Sequence, residues 1–237
     1  MQISKKKFIS EDGKSIPAFF IDVKSDRAAL IIHGYSSSKD EILGVTFNIA
    51  EKGYDSYAID LRGHGENENP LDEDVLKDVE GVVKELKRRY KYVLTVGHSL
   101  GGLLSLKSSS DFAIAVSPPL MSIVIPEAKF MLKVNSCKVI ESYEEVLFKI
   151  LQKYNPPERK ENAVIFYGIG ESKGIEIAIK KWIEGRNVEV IAVEEKQAKP
   201  PDVEVDPQKL KAYIPYFISH LTTIYAKTML NQIRAEI

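Results

Sequence analysis

Tyr92-Val93-Leu94-Thr95-Val96-Gly97-His98-Ser99-Leu100-Gly101-Gly102 runs from an apolar, β-rich segment into a Gly-x-Ser-x-Gly turn, and Leu103-Leu104-Ser105-Leu106-Lys107 can open a helix directly behind it. A serine on a tight strand-to-helix turn is pushed out of the sheet, where a base can activate its hydroxyl. Glycines on either side leave room for a strained backbone that a Cβ would obstruct. The motif alone recurs by chance, but between a strand and a helix it marks Ser99 as a candidate nucleophile. Leu100 begins the helix, so its N–H points toward developing negative charge and gains from the helix dipole.

Outward from this turn, short apolar runs alternate with helical periodicity, the pattern of a mostly parallel sheet covered by helices on both faces. Residues 7–10 and 16–23 read as a hairpin turning at Asp12-Gly13. Buried strands are expected at 28–32, 54–60, 92–96, 112–116, 163–167 and 188–193. Helices are expected at 41–52, 72–90 and 175–184. In the second of these, Val75, Val79, Val82, Val83 and Leu86 share one face. Residues 119–160 break the alternation with two helical stretches between Pro118-Pro119 and Pro156-Pro157. They read as a small helical cap inserted into a core formed by 1–118 and 161–237, since an ordinary crossover helix rarely takes a connection so long. From Pro207 the chain reads as one long helical stretch, bent at Pro215.

The bulk properties narrow the class. The 237 residues suffice for one α/β domain with a full core, and 44% hydrophobic with 28% charged residues is an ordinary globular balance. A net charge of −1 argues against nucleic acid or an anionic membrane as partner. No apolar run reaches the length of a membrane span. The first 20 residues carry Lys5-Lys6-Lys7 but no long apolar stretch, so the expected location is cytoplasmic. One cysteine, Cys137, excludes an internal disulfide and is expected to be a buried or partly buried small hydrophobe. The chain has 26 Lys against 7 Arg and 22 Glu against 12 Asp, a composition that leans toward a thermophilic source. No His/Cys/Asp/Glu cluster has ligand spacing, so no metal or cofactor is implied.

Three motifs together, His33-Gly34-Tyr35, Asp60-Leu61-Arg62-Gly63-His64-Gly65 and Gly97 to Gly102, resemble the α/β-hydrolases of the small esterase and monoglyceride-lipase-like kind in order and spacing. The resemblance implies an α/β-hydrolase fold and a serine hydrolase of a small ester or acyl substrate, with Ser99 as nucleophile. It implies that the N–H of Tyr35 joins that of Leu100 in the oxyanion hole, the Tyr35 ring being expected to pack. It gives His33, His64 and His98 structural positions rather than that of the base. It places the acid after the strand 163–167, in Gly168-Ile169-Gly170-Glu171, where Glu171 stands for the family's aspartate.

The family's catalytic histidine follows the last strand, but here that segment reads Glu194-Glu195-Lys196-Gln197-Ala198-Lys199-Pro200-Pro201. His220, in the C-terminal helical stretch, and Lys196 remain as candidate bases, the lysine only if burial depresses its pKa. A second reading follows from the gap: a non-catalytic α/β-hydrolase-like protein that binds a small molecule or a partner in the same pocket. The C-terminal stretch is more apolar than one sheet-facing stripe requires, which fits core packing in its first half and a homodimer contact through 225–233.

Overall fold

The computed structural model describes residues 1–121, 126–157, 162–169, 173–184 and 188–194. Among these, strands β1 (Gln2–Ile9), β2 (Ser15–Asp22), β3 (Arg27–Ile32), β4 (Asp55–Ile59), β5 (Tyr92–His98), β6 (Phe112–Val116), β7 (Ala163–Ile169) and β8 (Glu189–Glu194) form one sheet in the order β1-β2-β4-β3-β5-β6-β7-β8. The hairpin β1–β2 and the pair β2–β4 are antiparallel, and every other pairing is parallel. The apolar run of β3 lies between two parallel neighbours, as expected for a strand covered on both faces.

Strand order explains where the helices go. The chain leaves β3 through α1 (Leu43–Ala50) to reach β4 on one side. It then leaves β4 through α2 (Leu76–Lys87) and crosses β3 to reach β5 on the other side. Parallel crossovers are right-handed, so this reversal puts the two helices on opposite faces. Side-chain alternation along β3 agrees. Leu30 and Ile32 join the apolar cluster that includes Val79, Val82 and Val83 of α2 and Leu103 and Leu104 of α3 (Leu100–Lys107). Ala29 and Ile31 join the cluster that includes Val45 and Ile49 of α1. In open α/β sheets such a reversal marks the crevice where ligands bind, here beyond the carboxyl ends of β3 and β5. The loops that begin at His33 and at Ser99 meet there.

Most expected elements are present with shifted ends. The helix expected over 72–90 starts later because Asp72 turns its carboxylate back to the Asp74 N–H at 2.9 Å and to Arg62. All five of its expected inward residues, Val75 included, are fully buried. Between β6 and β7 lie α4 (Pro126–Asn135), a 3₁₀ turn (Ser136–Lys138) and α5 (Val146–Tyr154). α5 inserts Val146, Leu147, Ile150 and Leu151 into the core. Cys137 corrects an expectation: it is exposed, because it rides on the 3₁₀ turn, none of whose residues is buried. α6 (Lys173–Ile183) packs Ile179 and Trp182 against the same face as α2. The long C-terminal stretch and its proposed dimer contact lie outside the described residues.

One buried cation ties this scaffold together. Arg62 is fully buried and donates from Nε and Nη2 to Asp78 Oδ1 (3.1 and 2.7 Å), from Nη1 to Asp72 (2.6 Å) and from Nη2 to Asp12 (2.9 Å). Its own N–H bonds Asp78 Oδ2 at 2.8 Å. The hub joins the β1–β2 turn, the loop after β4 and α2. Burial holds the Asp78 carboxyl above the usual aspartate range even beside Arg62. Removing the guanidinium strands a buried carboxylate, so Arg62→Met is expected to cost about 3–5 kcal/mol in urea unfolding. Lys91→Ala, which breaks an exposed pair with Asp26, is expected to cost nothing measurable.

Candidate active site

Two glycines set the shape of the Ser99 turn. A Cβ on Gly97 would lie 2.0 Å from the Gly101 carbonyl oxygen, and one on Gly101 would lie 2.3 Å from Ile32 O and 2.6 Å from His33 O. All are backbone atoms with no side chain to move aside. α3 therefore starts in direct backbone contact with the end of β3. Ser99 takes up the turn with φ 51° and ψ −118°, a left-handed conformation that costs a non-glycine residue on the order of 1–3 kcal/mol. Two hydrogen bonds hold it there. Its N–H donates to Val116 O on β6 (2.8 Å), and its carbonyl accepts the Leu103 N–H (3.1 Å). A serine at the start of a helix ordinarily spends its hydroxyl on the first-turn N–H groups. Here no such capping bond forms, and the half-buried side chain remains available.

The loop after β3 faces this serine. A Cβ on Gly34 would be 3.3 Å from Ser99 Cβ and 3.3 Å from His98 Nδ1, so a side chain there would crowd the serine turn. The Gly34 carbonyl accepts from His33 Nδ1–H at 2.7 Å and from the Ser37 N–H at 3.3 Å. Because the peptide is planar and trans, pinning that carbonyl fixes the Tyr35 N–H on the opposite side. Ser36, at φ 62°, completes the turn. The Tyr35 ring packs edge-on against His64 at 5.8 Å, as a packing role predicts. Its hydroxyl also has a task the sequence did not reveal, donating to Glu141 Oε1 at 2.5 Å. Burial and this carboxylate hold the phenol well above its usual pKa.

Glu141 is brought to Tyr35 by backbone pairing. Ile140 and Ser142 exchange hydrogen bonds with Gly63 and Leu71, so the segment leading to α5 is fastened to the loop after β4. Beside the Tyr35 hydroxyl is a small pocket of about 100 Å³, lined in part by Leu132, Ser136, Leu147 and Phe148. A wider cleft of about 650 Å³ runs along β1 between Lys5–Lys7 and Glu66–Asn69, and none of the Ser99 turn lines it.

Two of the three motif histidines are bonded to backbone. His33 donates from Nδ1 and accepts the Leu61 N–H at Nε2 (3.1 Å), so both ring nitrogens are engaged in the neutral tautomer. His64 donates from Nδ1 to Arg62 O at 2.9 Å. Burial pushes His33 down to about 4, His64 to about 3 and His98 to about 4. Among the described residues no histidine is hydrogen-bonded to Ser99. Glu171, Lys196 and His220 lie outside the described residues.

Lys39 is the second residue that sequence reading missed. It is fully buried, with Nζ 2.8 Å from Asp60 Oδ2, while its own N–H donates to Asp60 Oδ1 at 2.8 Å. Burial disfavours the ammonium, but hydrogen bonding to Asp60 and its charge outweigh that, and the pKa lies above the usual lysine value. In the sequence Ser36-Ser37-Ser38-Lys39-Asp40 reads as a solvated loop, and nothing local reveals a buried partner 21 residues away.

With this geometry in place, the comparisons with known proteins fit. The profile described as serine aminopeptidase, S33, matches residues 24–191, and the chain belongs to that α/β-hydrolase family. Solved structures with the same fold include an esterase from Pyrococcus furiosus, with a TM-score of 0.59 at 18% identity over 92% of this chain and 91% of that one. A serine hydrolase without a lid from Xanthomonas campestris aligns with a TM-score of 0.56 at 11% identity, over 82% and 85%. A protein from Pseudomonas aeruginosa described as hypothetical aligns with a TM-score of 0.64 at 10% identity, over 92% and 93%. No curated protein sequence matches the chain.

Two outcomes follow from the geometry. Gly101→Ala drives a Cβ into two carbonyl oxygens and is expected to destabilise by at least about 2 kcal/mol in chemical denaturation. His33 and His64 are neutral in the fold but titrate near 6.5 when unfolded, so they add no pH dependence above that value. As pH falls from about 6.5 toward 4, the unfolded chain takes up protons that the fold refuses, and stability drops. With His98 depressed in the same way, unfolding free energy is expected to fall by on the order of 5 kcal/mol between pH 7 and pH 5, measured by urea titration.

Proposed function

We propose that the chain is a serine hydrolase of a small carboxylic ester or related acyl substrate, with Ser99 as its nucleophile. The observation that carries this reading is the strained Ser99 turn, whose hydroxyl is withheld from helix capping and set against the Gly34–Tyr35 loop. Strain of this kind persists only where the surrounding structure imposes it, and it clusters at reactive sites.

In this reading Ser99 Oγ attacks the acyl carbon, and its proton passes to a base oriented by Glu171. The base is His220 or Lys196. The N–H groups of Tyr35 and Leu100 receive the negative charge that forms on the carbonyl oxygen, each worth about 3 kcal/mol in the transition state. Collapse of the tetrahedral intermediate returns the proton to the departing alcohol and leaves an acyl-serine, which water then hydrolyses. The segment 119–160 acts as a cap, and the small pocket beside Tyr35 limits the group it admits. The chain works as a cytoplasmic protein without cofactor, with residues 225–233 as a homodimer contact. A second reading, a non-catalytic binder using the same crevice, is favoured by one observation: His33 and His64 are held neutral by burial and bonded to backbone.

A fluorophosphonate probe separates the two. The wild type is expected to label at one site, and Ser99→Ala to abolish labelling. Loss of the true base, tested with His220→Ala and Lys196→Ala, is expected to slow labelling by about 10²- to 10⁴-fold. A folded wild type that fails to label rejects the hydrolase reading and leaves the binder.

A further inference from the structure

We propose that Lys39 is a positioning residue whose buried pairing with Asp60 holds the Gly34–Tyr35 loop in register with Ser99. The proposal rests on the hydrolase reading, because its consequence is the aim of the Tyr35 N–H.

The pair is wholly enclosed, with both side chains 0% exposed. Asp60 sits immediately after β4 and Lys39 four residues beyond Tyr35. One carboxylate receives Lys39 twice, through its N–H on Oδ1 and its ammonium on Oδ2, each at 2.8 Å. The Glu66 N–H also donates to Oδ2, at 2.9 Å. Asp60 thus joins the loop after β3 to the loop after β4. The neighbouring Gly65 records how tightly it is held, since a Cβ there would lie 2.4 Å from Asp60 Oδ1. The other side of the ammonium lies over the Phe19 ring, 4.8 Å from its centroid, with Asp40 and Glu66 each 3.3 Å away.

Stability alone is a weak reason for such a pair. Desolvating two charges costs about as much as their attraction returns, and apolar replacements are often neutral. What an apolar pair lacks is a fixed geometry. The loop from His33 to Lys39 is fastened at its start, where His33 bonds the Leu61 N–H, and at its end, where Lys39 bonds Asp60. Between these anchors lies the peptide that aims the Tyr35 N–H. Removing the ammonium halves the far anchor, leaving the Lys39 N–H on Asp60 Oδ1 together with His33 and the Ser37 N–H to hold it. A donor displaced by a fraction of an ångström loses much of its value in the transition state while ground-state binding is little affected.

The test is Lys39→Met, with Lys39→Gln as a second variant that keeps a donor for Asp60 and guards against misfolding of the first. Each is assayed well below its melting temperature. The readouts are the maximal rate of fluorophosphonate labelling, the probe concentration at half-maximal rate, and amide hydrogen exchange over residues 33–40. The expected result is a maximal rate reduced about 10- to 100-fold in Lys39→Met, with half-saturation changed less than about twofold and faster loop exchange. Lys39→Gln is expected to fall between Lys39→Met and the wild type. A maximal rate within about twofold of wild type in a folded variant overturns the proposal, as does a loss confined to half-saturation. If the wild type itself does not label, the hydrolase reading fails. Hydrogen exchange then decides the clamp alone: faster exchange at Gly34–Tyr35 in the variant upholds it and unchanged exchange removes it.

Discussion

Backbone contact between the start of α3 and the end of β3 is the constraint on which the site depends. Gly101 lies so close to the carbonyls of Ile32 and His33 that no side chain fits between them. This approach fixes the angle at which the chain leaves β5 and leaves Ser99 no relaxed conformation. It also brings the loop that begins at His33 beside the serine. A larger residue at Gly97 or Gly101 would separate the two loops and dissolve the crevice, whatever side chains lined it.

Around that contact the molecule uses buried polar groups as fasteners. Arg62 gathers Asp12, Asp72 and Asp78, and Lys39 and Asp60 join the loop after β3, which faces Ser99, to the loop after β4. His33 links the first loop to the second through the Leu61 N–H. Apolar contacts fill space but tolerate sliding, whereas hydrogen-bonded charges in a dry interior have few acceptable geometries. The Asp60–Gly65 motif is thus mostly architectural: its aspartate, arginine and histidine side chains are all committed to neighbours in the fold.

The helical segment between β6 and β7 joins the same network. Glu141 reaches Tyr35 because Ile140 and Ser142 pair with Gly63 and Leu71. One tyrosine therefore packs its ring against His64 and gives its hydroxyl to the segment that leads to α5. Displacing that segment breaks the Tyr35–Glu141 hydrogen bond.

The sheet, its helices and the place of Ser99 were legible in the sequence because they follow from local periodicity and from glycines a tight turn demands. Val75, Val79, Val82, Val83 and Leu86 announced their shared face, and the Gly97–Gly102 turn announced its own strain. Lys39 and Glu141 gave no such signal. Neither sits in a local pattern, and each acquires its role from a partner distant in the chain. Cys137, expected to be buried or partly buried, is exposed, because burial depends on which turn carries it. The sequence by itself determined the α/β order and the strand-to-helix position of the serine, since these rest on interactions between near neighbours. Only the tertiary structure decided which charges are buried, which histidines are held neutral and how the Gly34–Tyr35 loop is fastened, because those depend on desolvation and distance, which exist only once the chain has folded.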